Sequence, residues 1–167
     1  MPHTIDLQIA TQGDFLPDSA HIERWVGAAI RDERESAEVS VRIVDAEEGR
    51  TLNRQYRDKD KPTNVLSFPA ELPPELELPL LGDLVVCAPV VEAEAADQQK
   101  SLESHWAHMI IHGTLHLLGY DHIETDDAEA MEALETSIMQ KLNYSAPYEL
   151  THNKSGNTHS PRSYSSP

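Results

Sequence analysis

The sequence predicts an α+β domain, a small mixed β-sheet of about four strands packed by five to six helices. Three observations predict it. Apolar residues alternate with polar ones early in the chain, at Ile5, Leu7 and Ile9 and again at Val39, Val41 and Ile43, the period-2 mark of half-buried strands. Stripes at helical spacing dominate the second half. No internal repeat links the two halves, so neither a solenoid nor a regular βα array is expected.

The elements follow in order. Residues 5–9 form the first strand, and residues 19–31 a helix with Ile22, Trp25, Val26 and Ile30 on one stripe. Residues 39–43 are a second strand. Residues 47–57 are a short helix in which Leu52 and Tyr56 stand four apart. Val65, Leu66 and Phe68 make a third strand, ended by Pro69. A loop rich in Pro and Glu spans residues 71–79, where proline density opposes both helix and central strand. Residues 83–87 are a compact apolar strand. Residues 90–99 and 102–118 read as helices, the second stopped by Gly119. A last helix spans residues 128–142, with Asp126 as N-cap and Glu129 completing a variant capping box. Its buried stripe is Met131, Leu134, Ile138 and Leu142.

At 167 residues the chain fits a single domain, residues 1–144, followed by a tail. Residues 145–167 carry Ser, Pro, Asn, Thr and His with almost no apolar side chains. They bury too little surface to offset the entropy of ordering, so a disordered tail is expected. The one cysteine, Cys87, excludes an internal disulfide and suits a reducing compartment. No basic segment leads into an apolar run near Met1, and no apolar stretch approaches 18 residues. A cytoplasmic protein with no membrane contact is expected.

The net charge of −16 counts against a partner made of phosphates. That inference holds only if the acid lies near the site. Residues 126–135 and 71–77 hold much of it and read as solvated faces. What decides the question is whether a local segment reverses the sign.

The chemistry lies between His112 and His122. His112 and His116 are four apart on a helix, which puts both imidazoles on one face with Cβ atoms about 5–6 Å apart. Two ring nitrogens can then converge on one ion. Gly119 lets the chain fold back, so His122 can reach the same ion from the turn. Three protein ligands leave a fourth tetrahedral position open, the mark of catalytic rather than structural zinc. Other first-row metals also accept imidazole. His108 is too far from His116 along a straight helix, about 12 Å, to share an ion with it. It reads as packed or supporting, and His105 as solvent-facing. The spacing H-x3-H-x2-G-x2-H equals that of the metzincin proteases, except that Gly113 stands where they carry a general-base glutamate. A peptidase is therefore disfavoured, and a metal-dependent hydrolase of another kind is expected.

Residues 54–61 read Arg-Gln-Tyr-Arg-Asp-Lys-Asp-Lys, locally basic in an acidic chain. They lead into Pro62-Thr63-Asn64-Val65-Leu66-Ser67-Phe68-Pro69. Together with Leu81-Gly82-Asp83-Leu84-Val85-Val86 and the block from His112 to Gly119-Tyr120-Asp121-His122, this resembles the YbeY family of bacterial rRNA-maturation endoribonucleases over residues 5–144. The resemblance implies a metal-dependent endoribonuclease specific for single-stranded RNA, acting in 16S rRNA 3′-end maturation and ribosome quality control. It implies a metal, read here as one zinc ion per chain, held by His112, His116 and His122, and an important arginine at Arg57. Lys59 and Lys61 would hold the RNA backbone nearby. The small ribosomal subunit and its proteins are the expected partners. The alternative is a non-catalytic ribosome-assembly factor with a structural metal, since an acidic surface suits docking on a basic ribosomal protein.

Overall fold

The structure is a computed structural model, described here for residues 3–12, 16–31, 36–70, 79–120 and 125–144. The disordered tail expected at 145–167 and nearly all of the loop at 71–79 lie outside these residues, and so does His122.

Strand β1 (His3–Ile9) is followed by helix α1 (Ser19–Ile30) and by strand β2 (Ala37–Val44), which runs parallel to β1 with Ile5 opposite Val39. Helix α2 (Ala46–Arg57) begins at Asp45, whose side chain accepts from the Glu48 amide at 2.9 Å. Strand β3 (Val65–Pro69) pairs antiparallel with β4 (Leu80–Cys87), and β4 runs parallel to β2, giving the order β1-β2-β4-β3. Helices α3 (Ala88–Asp97), α4 (Leu102–Leu117) and α5 (Thr125–Lys141) follow. Among the described residues, the mixed four-stranded sheet with five helices is the expected α+β architecture.

Helix α4 is the centre of the core. Twelve of its 16 residues are buried, as a helix apolar on nearly all sides requires. Leu84 and Val65 meet it at Gly113, and Leu117 meets Gly82. Because strand side chains alternate, Val65, Ser67, Leu84 and Val86 share the α4 face of the sheet. The opposite face carries α2, with Gly49 against Cys87 and Val44 and with Arg42 paired to Glu48 at 2.7 Å. No helix among the described residues is long and apolar enough to cross a membrane.

Some boundaries differ from expectation. β4 starts at Leu80 rather than 83 because Gly82 carries the strand through at φ +149°, where a Cβ would lie 2.5 Å from the Phe68 carbonyl. α3 starts at Ala88, because Pro89 sits in the first turn, where the missing N–H costs nothing. α5 starts at Thr125, so Asp126 lies within the helix and is not its N-cap. On α2, Leu52 is half-buried and Tyr56, four residues on, is 58% exposed.

Candidate metal centre

Helix α4 places His105, His108, His112 and His116 at spacings of three, four and four, so all four imidazoles line one face. Burial falls along this row. His105, His108 and His112 are buried, whereas His116 is half-buried near the end of the helix. Rings of His112 and His116 stand edge to face with centroids 4.7 Å apart, and their Nε2 atoms are 3.2 Å apart. Two nitrogens bound to one tetrahedral zinc at about 2.0–2.1 Å would lie about 3.3 Å apart. The pair is therefore spaced to share one ion.

Which nitrogen of His112 faces that point is set by Glu135 on α5. Its Oε2 lies 2.5 Å from His112 Nδ1, and its Oε1 lies 2.7 Å from His108 Nε2. A carboxylate can only accept, so both imidazoles donate N–H to it. His112 then keeps its proton on Nδ1 and presents the Nε2 lone pair, the tautomer a metal ligand needs. Burial opposes the Glu135 charge, but His112 and His108 outweigh it and hold the carboxyl below its usual range. Burial also pushes the His108 imidazole down to about 4, so it is neutral. At the inner end of the row, His105 Nε2 lies 2.9 Å from Glu94 Oε1, and Glu94 also accepts from the Asn64 amide at 3.2 Å. Lys100 lies in the same field; burial pushes its ammonium down to about 8, against the pull of Glu94 and Glu135.

Two expectations are corrected here. His105 does not face solvent; at 0% exposure it is fully buried, and the half-buried Glu94 on α3 supplies a partner for its ring. Nor is all of the acid at 126–135 a solvated face, since Glu135 is 1% exposed. Glu135 is also the site residue that sequence reasoning missed. Its signal was a carboxylate in the apolar stripe of α5, four residues after Met131 and four before Met139. His108 is packed as expected.

The end of α4 turns as the glycine predicts. Gly119 has φ +106°, its N–H donates to His116 O at 3.0 Å, and the Tyr120 N–H donates to Leu115 O at 3.0 Å, a Schellman close. The Arg31 guanidinium pins the Tyr120 hydroxyl at 3.0 Å. Among the described residues no group of three His, Cys, Asp or Glu surrounds one point. The third expected ligand, His122, lies just beyond this turn and outside those residues.

Gly113 has a role that the motif comparison did not supply. A Cβ there would lie 2.8 Å from Leu84 Cδ2 and 3.2 Å from Val65 Cγ2. Position 113 faces the sheet, so a glutamate there would point into the core.

The last turn of α2 reaches the same region from the sheet edge. Arg57 is half-buried, and its Nη2 donates to Ser67 O at 3.4 Å; Ser67 Oγ donates in turn to Gly113 O at 3.3 Å. Two links thus separate Arg57 from the residue next to His112. Beyond it, Asp58 in the left-handed region (φ 61°) ends the helix, and buried Asn53 holds the returning chain through Lys61 O at 2.8 Å. Lys59 and Lys61 stand exposed on that turn, and Asp60 is engaged by Arg50 at 2.8 Å.

The α+β fold thus carries a carboxylate-braced histidine pair on α4 and a basic turn at the end of α2. The family model for endoribonuclease YbeY matches residues 9–143. A curated endoribonuclease YbeY from Cellvibrio japonicus is 59% identical over 148 residues, covering 88% of this chain and 84% of the relative. The solution structure of a Thermotoga maritima protein superposes with a TM-score of 0.54 at 26% identity, covering 82% of this chain and 91% of the other. The chain belongs to the endoribonuclease YbeY family.

Proposed function

We propose that this protein is a metal-dependent endoribonuclease specific for single-stranded RNA, acting in 16S rRNA 3′-end maturation and ribosome quality control in the cytoplasm. The observation that carries the metal reading is the 3.2 Å approach of His112 and His116 Nε2 atoms, with Glu135 fixing the His112 tautomer. His112, His116 and His122 would hold one zinc ion. When bound, zinc would either activate a water or polarise a phosphate oxygen.

The chain's own residues divide the remaining work. Glu135 and His108 hold the His112 ring against rotation, so its lone pair stays aimed outward. Arg57 clamps the scissile phosphate and offsets charge building on its oxygens, a task suited to a planar fork of donors. Its anchor on Ser67 keeps that fork at the sheet edge. Lys59 and Lys61 hold the flanking backbone, supplying positive charge where the chain is otherwise acidic. A peptidase is not proposed, because position 113 has no room for the base that activity needs.

The decisive experiment is cleavage of a defined 16S rRNA 3′ precursor by metal-stripped, zinc-restored and His116→Ala protein. Activity only in the zinc-restored wild type supports the reading. Equal cleavage by all three, or by none, overturns it.

A further inference from the structure

Two rungs join the end of α2 to β3. One is the bond from Arg57 to the Ser67 carbonyl. The other lies one residue away on each element: the Tyr56 and Phe68 rings meet edge to face, with centroids 5.2 Å apart and planes at 72°. Tyr56 is one of three large hydrophobic side chains left exposed among the described residues. The others, Ile9 and Leu80, carry no aromatic ring. An exposed tyrosine held by a neighbouring phenylalanine presents a fixed π-face at little further entropic cost. The setting is also the basic part of the chain. Arg50, Arg54, Arg57, Lys59 and Lys61 fall within 12 consecutive positions, five of the 13 Lys and Arg residues. Stacking rings beside backbone-holding cations are the two components of a single-strand nucleic-acid site.

We propose that Tyr56, braced by Phe68, is a stacking platform for one unpaired nucleobase of the RNA whose phosphate Arg57 holds. The inference rests on the endoribonuclease reading and adds the physical basis of its strand selectivity. A base stacks on Tyr56 only when it is free of its own pair, so a duplex gains nothing from the ring. The Tyr56 ring rests on the half-buried Phe68 and the residue is 58% exposed, which makes it replaceable without unfolding.

The test measures cleavage kinetics of the zinc-loaded protein on a short single-stranded RNA and on a series in which each nucleotide in turn is made abasic. Tyr56→Ala is expected to raise KM about tenfold with kcat within about twofold, and Tyr56→Phe and Tyr56→Trp to restore it. At one position of the series the abasic RNA should cost the wild type the same factor and cost Tyr56→Ala nothing further. Thermal melting of each variant should match the wild type. A KM unchanged in Tyr56→Ala, or losses that simply add at every position, overturns the platform while leaving the endoribonuclease reading intact. Wild-type protein that neither binds nor cleaves single-stranded RNA overturns both.

Discussion

Replacing Glu135 by glutamine keeps its volume and removes the charge that two imidazole N–H groups converge on. The amide still has one oxygen, but its NH2 now meets the donor of either His108 or His112. The His112 ring then loses its fixed tautomer. Zinc affinity, measured by chelator competition, should fall about 10–100-fold, the range seen when such supporting carboxylates are lost. An unchanged affinity would show that Glu135 only fills the core. Arg57 gives the complementary result. Arg57→Glu should abolish RNA cleavage and leave zinc stoichiometry at the wild-type value, because Arg57 acts on the phosphate from its anchor on the Ser67 carbonyl. Loss of zinc together with activity would refute the separate roles.

At the scale of elements, the approach of α4 to the sheet is set by a missing side chain. Gly113→Ala gains about 1 kcal/mol of helix propensity. It also drives a Cβ to 2.8 Å from Leu84, a fully buried side chain, and overpacking of this kind costs about 1–3 kcal/mol. The expected net result is a destabilisation of about 1 kcal/mol in urea unfolding, partly relieved in the double variant with Leu84→Val. Gly113→Glu should unfold the domain and confer no peptidase activity. A stable Gly113→Glu protein would mean that α4 can lift from β3 and β4. These contacts explain how much of the site was legible in sequence. The His112–His116 pair could be read because helical spacing alone makes two side chains neighbours. Gly119 could be read because its positive φ is a local demand. Tyr56 could not, because spacing from Leu52 says which residues share a stripe but not whether the sheet extends far enough to cover it. His105 was misread for a related reason, since its partner Glu94 comes from another helix.

For the whole molecule, the buried histidine row makes stability pH-dependent. In the folded chain His108 stays neutral down to about pH 4, whereas an unfolded histidine takes up its proton near 6.5. Between those values the unfolded state binds more protons, so stability falls as pH falls. Glu135, whose folded pKa lies below the usual carboxylate range, acts in the same direction at lower pH. Metal-free protein should therefore lose about 2–3 kcal/mol between pH 6.5 and 4, roughly 5–10 °C in melting temperature. His108→Gln, which keeps a donor but does not titrate, should flatten this slope. Parallel pH curves for the two proteins would refute the assignment.

By itself the sequence determined the features governed by period and local geometry: the α+β order, the strands and helices, the helix stop at Gly119, and a histidine pair able to share an ion. The local reversal of charge at residues 54–61 was equally visible, because it lies within a few residues of chain. Only the tertiary structure decided what those features meet. It set Glu135 between His108 and His112 from 23 and more residues away, turned Gly113 toward Leu84, anchored Arg57 on Ser67, and left Tyr56 uncovered. Each depends on how one element packs against another, and a side chain's partner across such an interface leaves no period in the sequence to read.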